Sequence, residues 1–379
     1  MNHTRHATHH APPHPPPKQQ RSSTPSSHSA MATDLKNRTA ILVALTLVLG
    51  SWCYTEYIRP PPPTPCGTEG GPPVTASRIK LRDGRFLAYK ETGVQRDRAE
   101  FKIVFCHGFL SSRLFNIGAS PELMEELGVY IVSYDRAGHG ESDPNPKRSL
   151  KSEASDIEEL ADALNLGPRF YVVGYSLGGH AIWASIKYIP GRLAGAAFLA
   201  PVINYWWPGF PKNLSSEAYN KQVLGDQWAL GVAHYAPWLL HWWMNQSWLP
   251  TSTVIKGTTF LPNQLDARMR DFARTSGIAE ERMKLATQQG AQESLYRDMA
   301  VMFGKWEFDP MDLLQPSFPV HLWQGDEDGL VPVTLQRYIC SRLPWIDYHE
   351  LSETGHYYFG MPGFADILLK TLLVQTSSF

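Results

Sequence analysis

The sequence has 379 residues and a formal net charge of −1 at pH 7, with 43% hydrophobic and 12% aromatic residues. This length suits one large domain with an accessory segment, and the near-neutral charge gives no electrostatic reason to expect nucleic acid as a partner. The four cysteines show neither paired metal-ligand spacing nor the pattern of a small disulfide-rich domain. We expect single buried thiols and no metal or cofactor, with a disulfide between Cys106 and Cys340 as the alternative.

The first 35 residues are rich in His, Pro, Ser and Thr and nearly lack aliphatic side chains. This composition cannot bury a core, which predicts a disordered tail over residues 1–35. The six histidines up to His28 have no fixed geometry and no cysteine partners, so we expect no metal site among them. Because Met31 precedes a more ordinary start, the tail is also interpretable as an upstream extension of a shorter product.

A long apolar segment follows the tail, and no residue from Thr39 to Thr55 is charged. Residues 36–58 are largely apolar and about as long as a bilayer-spanning helix requires, which predicts a signal-anchor. Lys36 and Arg38 precede the apolar run and favour a cytoplasmic N-terminus with the rest of the chain in the lumen of the endoplasmic reticulum or another endomembrane compartment. The alternative is a signal peptide cleaved near Ser51 and Cys53, which would release a secreted protein.

A proline-rich segment, residues 59–75, separates the apolar stretch from the core. Its repeated prolines predict a stiff spacer that lifts the domain off the membrane. The core itself is expected to comprise residues 76–202 and 315–379. It begins with a hairpin, in which strands 77–81 and 85–90 flank an Asp-Gly turn.

Apolar β-branched runs then alternate with a helical pattern. The buried-strand candidates are residues 101–105, 129–134, 170–173 and 194–202. Residues 152–167 have the periodicity of a capped amphipathic helix, with Gly167 as its stop. Strands that alternate with helices predict a parallel sheet with right-handed crossovers.

A glycine-rich segment with one serine lies between a strand and a helix. Gly174-Tyr175-Ser176-Leu177-Gly178-Gly179 follows the strand candidate 170–173 and opens a helix-favouring segment, 180–189. Ser176 is therefore predicted at a sharp strand-to-helix turn, the context of a nucleophile elbow. Gly174 and Gly178 are expected there because the serine is strained and the strand and helix approach closely.

The alternation of predicted strands and helices is interrupted over residues 203–314. This stretch is rich in tryptophan, with Trp206, Trp207, Trp228, Trp238, Trp242, Trp243, Trp248 and Trp306. We expect most of these side chains to pack within the segment and several to line an apolar pocket. The glycosylation sequons at Asn213 and Asn245 would be used only in a lumenal domain.

The remaining candidates for catalysis lie at strand ends in residues 315–379. The strand-like run 320–323 leads into a turn-rich loop with three carboxylates, which are those of Asp326, Glu327 and Asp328. A second strand-like run, 347–351, leads to His356. The chain order serine, acid, histidine is that of one class of catalytic triad, and carboxyl ends of parallel strands are where ligands bind.

Taken together, these motifs resemble those of the α/β-hydrolase superfamily over residues 76–373. The resemblance is carried by the elbow and three further motifs, which are His107-Gly108-Phe109, Asp135 to Ser142, and Gly325 to Pro332 followed by Gly355-His356. It implies a mostly parallel eight-stranded sheet flanked by helices, with a helical cap inserted after strand six. The motifs are specific for the fold and the triad and leave the substrate open.

The resemblance also assigns roles to residues of this sequence. It implies that Ser176 is the nucleophile and His356 the general base, with the backbone N–H groups of Phe109 and Leu177 as the oxyanion hole. Asp328 matches the position of the family's acid, four residues before Pro332, while its neighbours Asp326 and Glu327 stay as competitors. A triad of this kind supplies acyl-transfer chemistry without a cofactor.

The function expected from these features is a serine hydrolase that cleaves a hydrophobic carboxylic ester, with a lipid acyl ester as one candidate. The alternatives are a small-molecule receptor on the same fold, a non-catalytic membrane protein, and an acyltransferase that uses the same triad. The apolar N-terminal segment argues against the receptor, and the intact triad argues against the non-catalytic protein. The expected partners are thus a small hydrophobic ester and, through the N-terminal helix, a membrane.

Overall fold

The computed structural model describes Met1 and residues 27–374. The part of the predicted tail between residues 2 and 26 lies outside the described residues. The chain divides into two compact units, Met1–Tyr57 and Ile58–Phe379.

The first unit is a long apolar helix. Helix α1 (Ser27–Cys53) continues into a π-helical turn, Tyr54–Ile58, so the helix begins nine residues before the predicted start at Lys36. Alanine and methionine residues around Met31 favour helix and account for the earlier start. Over Asp34–Ile58 the helix has 25 residues, and its most apolar stretch of 18 residues has a mean hydropathy of 1.5 and no buried residue. Both a membrane anchor and a signal sequence have this character.

The second unit is built on a single mixed sheet. Its strand order is β1-β2-β4-β3-β5-β6-β7-β8, with β1 and β2 antiparallel to their neighbours and the others parallel. The strands are β1 (Ser77–Lys80), β2 (Phe86–Gly93), β3 (Phe101–Cys106), β4 (Val129–Tyr134), β5 (Phe170–Tyr175), β6 (Leu193–Leu199), β7 (Val320–Gly325) and β8 (Ile346–Leu351). The predicted fold is confirmed, including the hairpin, whose turn uses Gly84 at φ +94°.

Helices cover both faces of this sheet. Those in the core are α2 (Pro121–Leu127), α3 (Leu150–Ala163), α4 (Gly179–Tyr188), α12 (Val333–Arg342) and α13 (Phe364–Leu373). The cap between β6 and β7 contains α5 (Lys212–Asn220), α6 (Leu224–Tyr235), α7 (Leu240–Met244), α8 (Thr253–Lys256), α9 (Gln264–Thr275), α10 (Ile278–Thr287) and α11 (Arg297–Phe303). Helix α3 begins at a capping box formed by Ser149 and Ser152, two residues earlier than predicted.

Two hydrophobic clusters lie on opposite faces of the sheet. Alternate residues of β3 show the division, since Val104 belongs to one cluster and Ile103 to the other. The first cluster also contains apolar residues of α3, α4, α12 and the cap, and the second contains those of α2 and α13. Burial on both faces explains why the central strands are continuous apolar runs.

The proline-rich segment is held against this unit over most of its length. The backbone N–H of Cys66 donates to Oε1 of Gln289 at 3.1 Å, and that of Thr75 donates to the Glu141 carboxylate at 2.6 Å. The predicted spacer over residues 59–75 is therefore docked on the domain from about Thr64 onward. All four cysteines are free thiols, so the alternative disulfide does not form.

Candidate active site

Ser176 lies at a strained turn between β5 and α4. Its φ is +52°, a left-handed conformation that costs energy for a residue with a Cβ. A Cβ added at Gly174 would lie 2.5 Å from Cγ1 of Ile182 on α4, and one added at Gly178 would overlap the carbonyl oxygen of Cys106 on β3. The two glycines therefore let the strand, the turn and the helix approach closely, as the sequence predicts.

The predicted triad residues are brought together at the carboxyl ends of β5, β7 and β8. Nε2 of His356 lies 3.0 Å from Oγ of Ser176, and Nδ1 of His356 lies 2.7 Å from Oδ2 of Asp328. The serine side chain is in reach of a base, and the base is oriented by an acid. This is the arrangement of a nucleophile activated by an imidazole.

The structure distinguishes Asp328 from its two neighbours. Its Oδ1 accepts the backbone N–H groups of Leu330 and Val331, at 2.8 and 2.9 Å, which leaves Oδ2 directed at His356. The other two carboxylates hold loops instead. Asp326 accepts the backbone N–H of Thr354, and Glu327 accepts the side-chain amide of Asn263.

The electrostatic surroundings favour the protonated form of His356. Burial alone would lower its pKa, but the nearby carboxylates of Asp328, which is also hydrogen-bonded to the ring, and Asp266 raise the pKa of His356 above its ordinary value of 6.5. A raised pKa makes the neutral imidazole a stronger base and stabilises the imidazolium that forms when a serine proton is taken up.

The loop after β3 lies against the serine. Phe109 and Leu177 line the same pocket as Ser176, and a Cβ added at Gly108 would lie 3.2 Å from Cβ of Ser176. Within residues 27–374 the backbone N–H of Phe109 has no hydrogen-bond acceptor. Phe109 and Leu177 thus lie beside the serine, and their role as an oxyanion hole stays a prediction.

A buried ionic network braces this loop. His107 contacts the Gly108 carbonyl through Nδ1 at 2.8 Å and accepts the Arg136 backbone N–H through Nε2 at 3.2 Å, so it supports the loop as expected. The Arg136 guanidinium donates to the Gly108 carbonyl and, through two nitrogens at 2.6 Å, to the carboxylate of Asp298. Asp298 also accepts from Arg148. Because Asp298 is on α11, the cap and the loop after β3 share one network.

Asp266, on cap helix α9, is a residue that sequence reasoning missed. Its Oδ2 accepts the backbone N–H of His356 at 2.5 Å, and its Oδ1 accepts that of Tyr357 at 2.8 Å. Burial raises the pKa of this carboxyl group, against the opposing effect of the two N–H donors. The nearby sequence feature that could be recognised is Asn263, the N-cap of α9. It gives no indication that Asp266 contacts a histidine 90 residues later.

A mostly apolar pocket opens beside Ser176. It has a cavity volume of about 100 Å³ and a lining that comprises Phe109, Ser176, Leu177, Val202, Ile203, Tyr205, Gln222, Asp226, Leu230, Ser252, Val254, Met299, Phe303, Leu330, Val331 and Pro332. The lining contains no tryptophan, so the expectation that several tryptophans line the pocket is wrong.

The tryptophans of the cap lie elsewhere for a physical reason. Trp207 is buried against Trp183 and Trp306 beneath the cap, as predicted for packing residues. Trp238 and Trp248 are 56% and 71% exposed on its outer surface. Leucine, valine, methionine and phenylalanine side chains fill the small space near the serine, which would not hold an indole.

Comparison with known proteins places the fold in a family. The model of the alpha/beta hydrolase family matches residues 103–365, which is more than half of the chain. The chain is 30% identical to a non-heme chloroperoxidase of Streptomyces lividans over 130 residues, which are 33% of this chain and 44% of that protein. The chain thus spans less than half of the length of that relative.

Solved structures of two esterases have the same fold. A thermophilic esterase from Thermogutta terrifontis superposes with a TM-score of 0.53 at 19% identity and covers 79% of this chain and 99% of its own. Esterase RhEst1 from Rhodococcus sp. ECU1013 gives a TM-score of 0.53 at 17% identity, with 79% and 98% covered.

Proposed function

This chain belongs to the alpha/beta hydrolase family, and from that premise we propose that it is a serine hydrolase that cleaves a carboxylic ester. The observation that carries the proposal is the continuous hydrogen-bonded line from Oγ of Ser176 through His356 to Asp328. The esterase identity of the two structural neighbours supports an ester as the substrate.

The reaction follows from the geometry. His356 takes the Ser176 proton at Nε2 as Oγ attacks the ester carbonyl, and Asp328 stabilises the imidazolium. The backbone N–H groups of Phe109 and Leu177 would bind the oxyanion, each donor lowering the barrier by about 2.7–4 kcal/mol. His356 then returns the proton to the departing alkoxide, which leaves an acyl group on Ser176. Water activated by His356 releases the acid and restores the serine.

The pocket supports a small acyl group. A protein cavity of about 150 Å³ binds benzene, which has six non-hydrogen atoms, so a volume of about 100 Å³ suits an acyl group of about four. We therefore propose acyl groups from acetyl to butyryl as the best substrates, in place of the longer lipid acyl chain considered from the sequence. The apolar lining would bind the acyl chain.

We further propose that the Asp34–Ile58 helix is an uncleaved anchor with the hydrolase domain in a lumenal compartment. Its exposed apolar surface and its length support a bilayer-spanning segment. The two basic residues Lys36 and Arg38 on its N-terminal side support a cytoplasmic N-terminus.

A covalent probe tests the proposed function. The full chain in detergent is expected to react with a fluorophosphonate, and Ser176→Ala is expected to remove this labelling while circular dichroism stays unchanged. Ser185→Ala, a buried serine on α4 outside the triad, is the matched control and should still be labelled. Hydrolysis of 4-nitrophenyl esters should likewise be lost in Ser176→Ala and kept in Ser185→Ala. Labelling that persists in Ser176→Ala, or a folded chain that neither labels nor hydrolyses esters, would refute the proposal.

A further inference from the structure

A group of potential metal ligands lies on the sheet, outside the triad. His321 is on β7, and Asp347 and His349 are on β8, the edge strand that pairs with it. His321 is opposite Asp347 in the parallel register, and Asp347 and His349 are two residues apart, so all three side chains are on one face. We propose that these three residues form a binding site for a divalent transition-metal ion, with Zn²⁺ as the best match.

The ligand atoms already have the spacing of a first coordination shell. Nδ1 of His321 lies 3.1 Å from Nε2 of His349 and 3.2 Å from Oδ2 of Asp347. The distance between Nε2 of His349 and Oδ2 of Asp347 is 3.6 Å. Ligands held at 2.0–2.1 Å around a tetrahedral zinc ion are separated by about 3.3 Å. A single ion can therefore reach all three atoms with little movement of the protein.

Packing holds the two imidazole rings in place. His321 is 4% exposed, and His349 stacks on Trp323 with a centroid distance of 4.4 Å and an interplanar angle of 15°. The two rings are thus ordered with their nitrogen atoms close enough to bind one ion.

The third ligand gives the site access to solvent. The Asp347 side chain is 60% exposed, so an ion can enter from the surface and keep a water molecule as its fourth ligand. Two imidazoles and one carboxylate favour zinc over calcium or magnesium, which prefer oxygen ligands. Bound there, the ion would link β8 to β7, the strands that lead to His356 and Asp328.

The experiment must separate this site from the six histidines of the N-terminal tail. We therefore take as background the full chain in detergent with His3, His6, His9, His10, His14 and His28 replaced by Gln. After treatment with a chelator, this chain is titrated with Zn²⁺ in calorimetry and with Co²⁺ in visible spectroscopy. We expect one equivalent of Zn²⁺ to bind, and the Co²⁺ complex to show the intense absorption of a four-coordinate ion. At free Zn²⁺ 100 times above its Kd, the unfolding equilibrium constant should fall about 100-fold.

Two variants and a control decide the outcome. His349→Gln is expected to lose the bound equivalent. Asp347→Asn, a change at an exposed residue that leaves the fold intact, should weaken binding and reduce the Co²⁺ absorption. Asp97→Asn, at another exposed aspartate, should leave the Zn²⁺ binding and the Co²⁺ absorption unchanged. A background chain that binds no Zn²⁺, or that binds it as well after Asp347→Asn as before, would overturn the proposal.

Discussion

The carboxylate of Asp266 accepts the backbone N–H of His356 at 2.5 Å, so a cap helix holds the loop that carries the His356 imidazole. The contact is close enough that a Cβ at Gly355 would overlap the Asp266 carboxylate. The position of the cap therefore determines the position of the His356 imidazole. A substitution in the cap that moves α9 should therefore displace His356, even when Ser176, His356 and Asp328 are all unchanged.

Asp266→Asn is expected to lower kcat more than it raises KM. Asparagine can accept only one of the two backbone N–H groups and would turn an NH₂ group towards the other, which costs about 1–3 kcal/mol. Steady-state kinetics would measure the effect, with Asp271→Asn on the exposed side of the same helix as control. Because Asp266 helps to raise the pKa of His356, the acid limb of the pH profile should move to lower pH. An unchanged limb with reduced stability would assign Asp266 a purely structural role.

The acid limb of the profile of kcat/KM against pH should have its midpoint above pH 6.5. His356 acts as a base only when neutral, and its pKa is raised in the folded protein, so kcat/KM is lost as pH falls through that raised value. Asp328→Asn should move the limb to lower pH and reduce kcat by about 10⁴-fold. Asp326→Asn, in the same loop, is the control and should leave the limb in place. A limb that moves with Asp326 would make that residue the acid.

Asp298→Ala should lower the free energy of unfolding by about 3–5 kcal/mol, because it leaves the buried guanidinium group of Arg136 without a counter-charge and removes one of the two carboxylates that pair with Arg148. Chemical denaturation of the detergent-solubilised chain would measure the change. Glu280→Ala, on an exposed position of the cap, should stay within about 0.5 kcal/mol of the parent. Equal effects of the two changes would show that the network does not stabilise the fold.

The size of the pocket predicts which esters are cleaved best. Among 4-nitrophenyl esters, kcat/KM should be highest between acetate and butyrate and fall for octanoate. Leu230→Ala enlarges the lining and should move the optimum to longer acyl chains, whereas Leu314→Ala, 89% exposed, should not. A preference of the parent chain for octanoate would mean that the cap opens to admit it.

The anchor and its orientation can be tested in cells. The full chain, with an epitope at its N-terminus, should stay in the membrane pellet after alkaline carbonate extraction and keep the epitope. Lumenal placement predicts a glycosidase-sensitive mass that is lost in the double variant Asn213→Gln, Asn245→Gln, since both asparagines are exposed. Loss of the epitope with release into the supernatant would indicate a cleaved signal peptide. An anchored chain without glycans would place the domain in the cytoplasm.

Local pattern was enough to predict the architecture and the triad candidates. Apolar β-branched runs and a helical periodicity indicate the alternation of strands and helices, and a serine between close glycines indicates a strained turn, which Ser176 confirms with its φ of +52°. The loops after β7 and β8 follow from the same logic. Each of these features depends on residues that are neighbours in the chain, so the sequence by itself determines them.

Only the tertiary structure decided which distant groups meet. It placed the carboxylate of Asp328, and not that of Asp326, in hydrogen-bond contact with His356, and it brought Asp266 from 90 residues away to hold the same loop. It also left the tryptophans out of the pocket and docked the proline-rich segment on the domain. These relationships depend on how the cap packs over the sheet, and packing joins residues whose separation along the chain has no period that a sequence pattern could reveal.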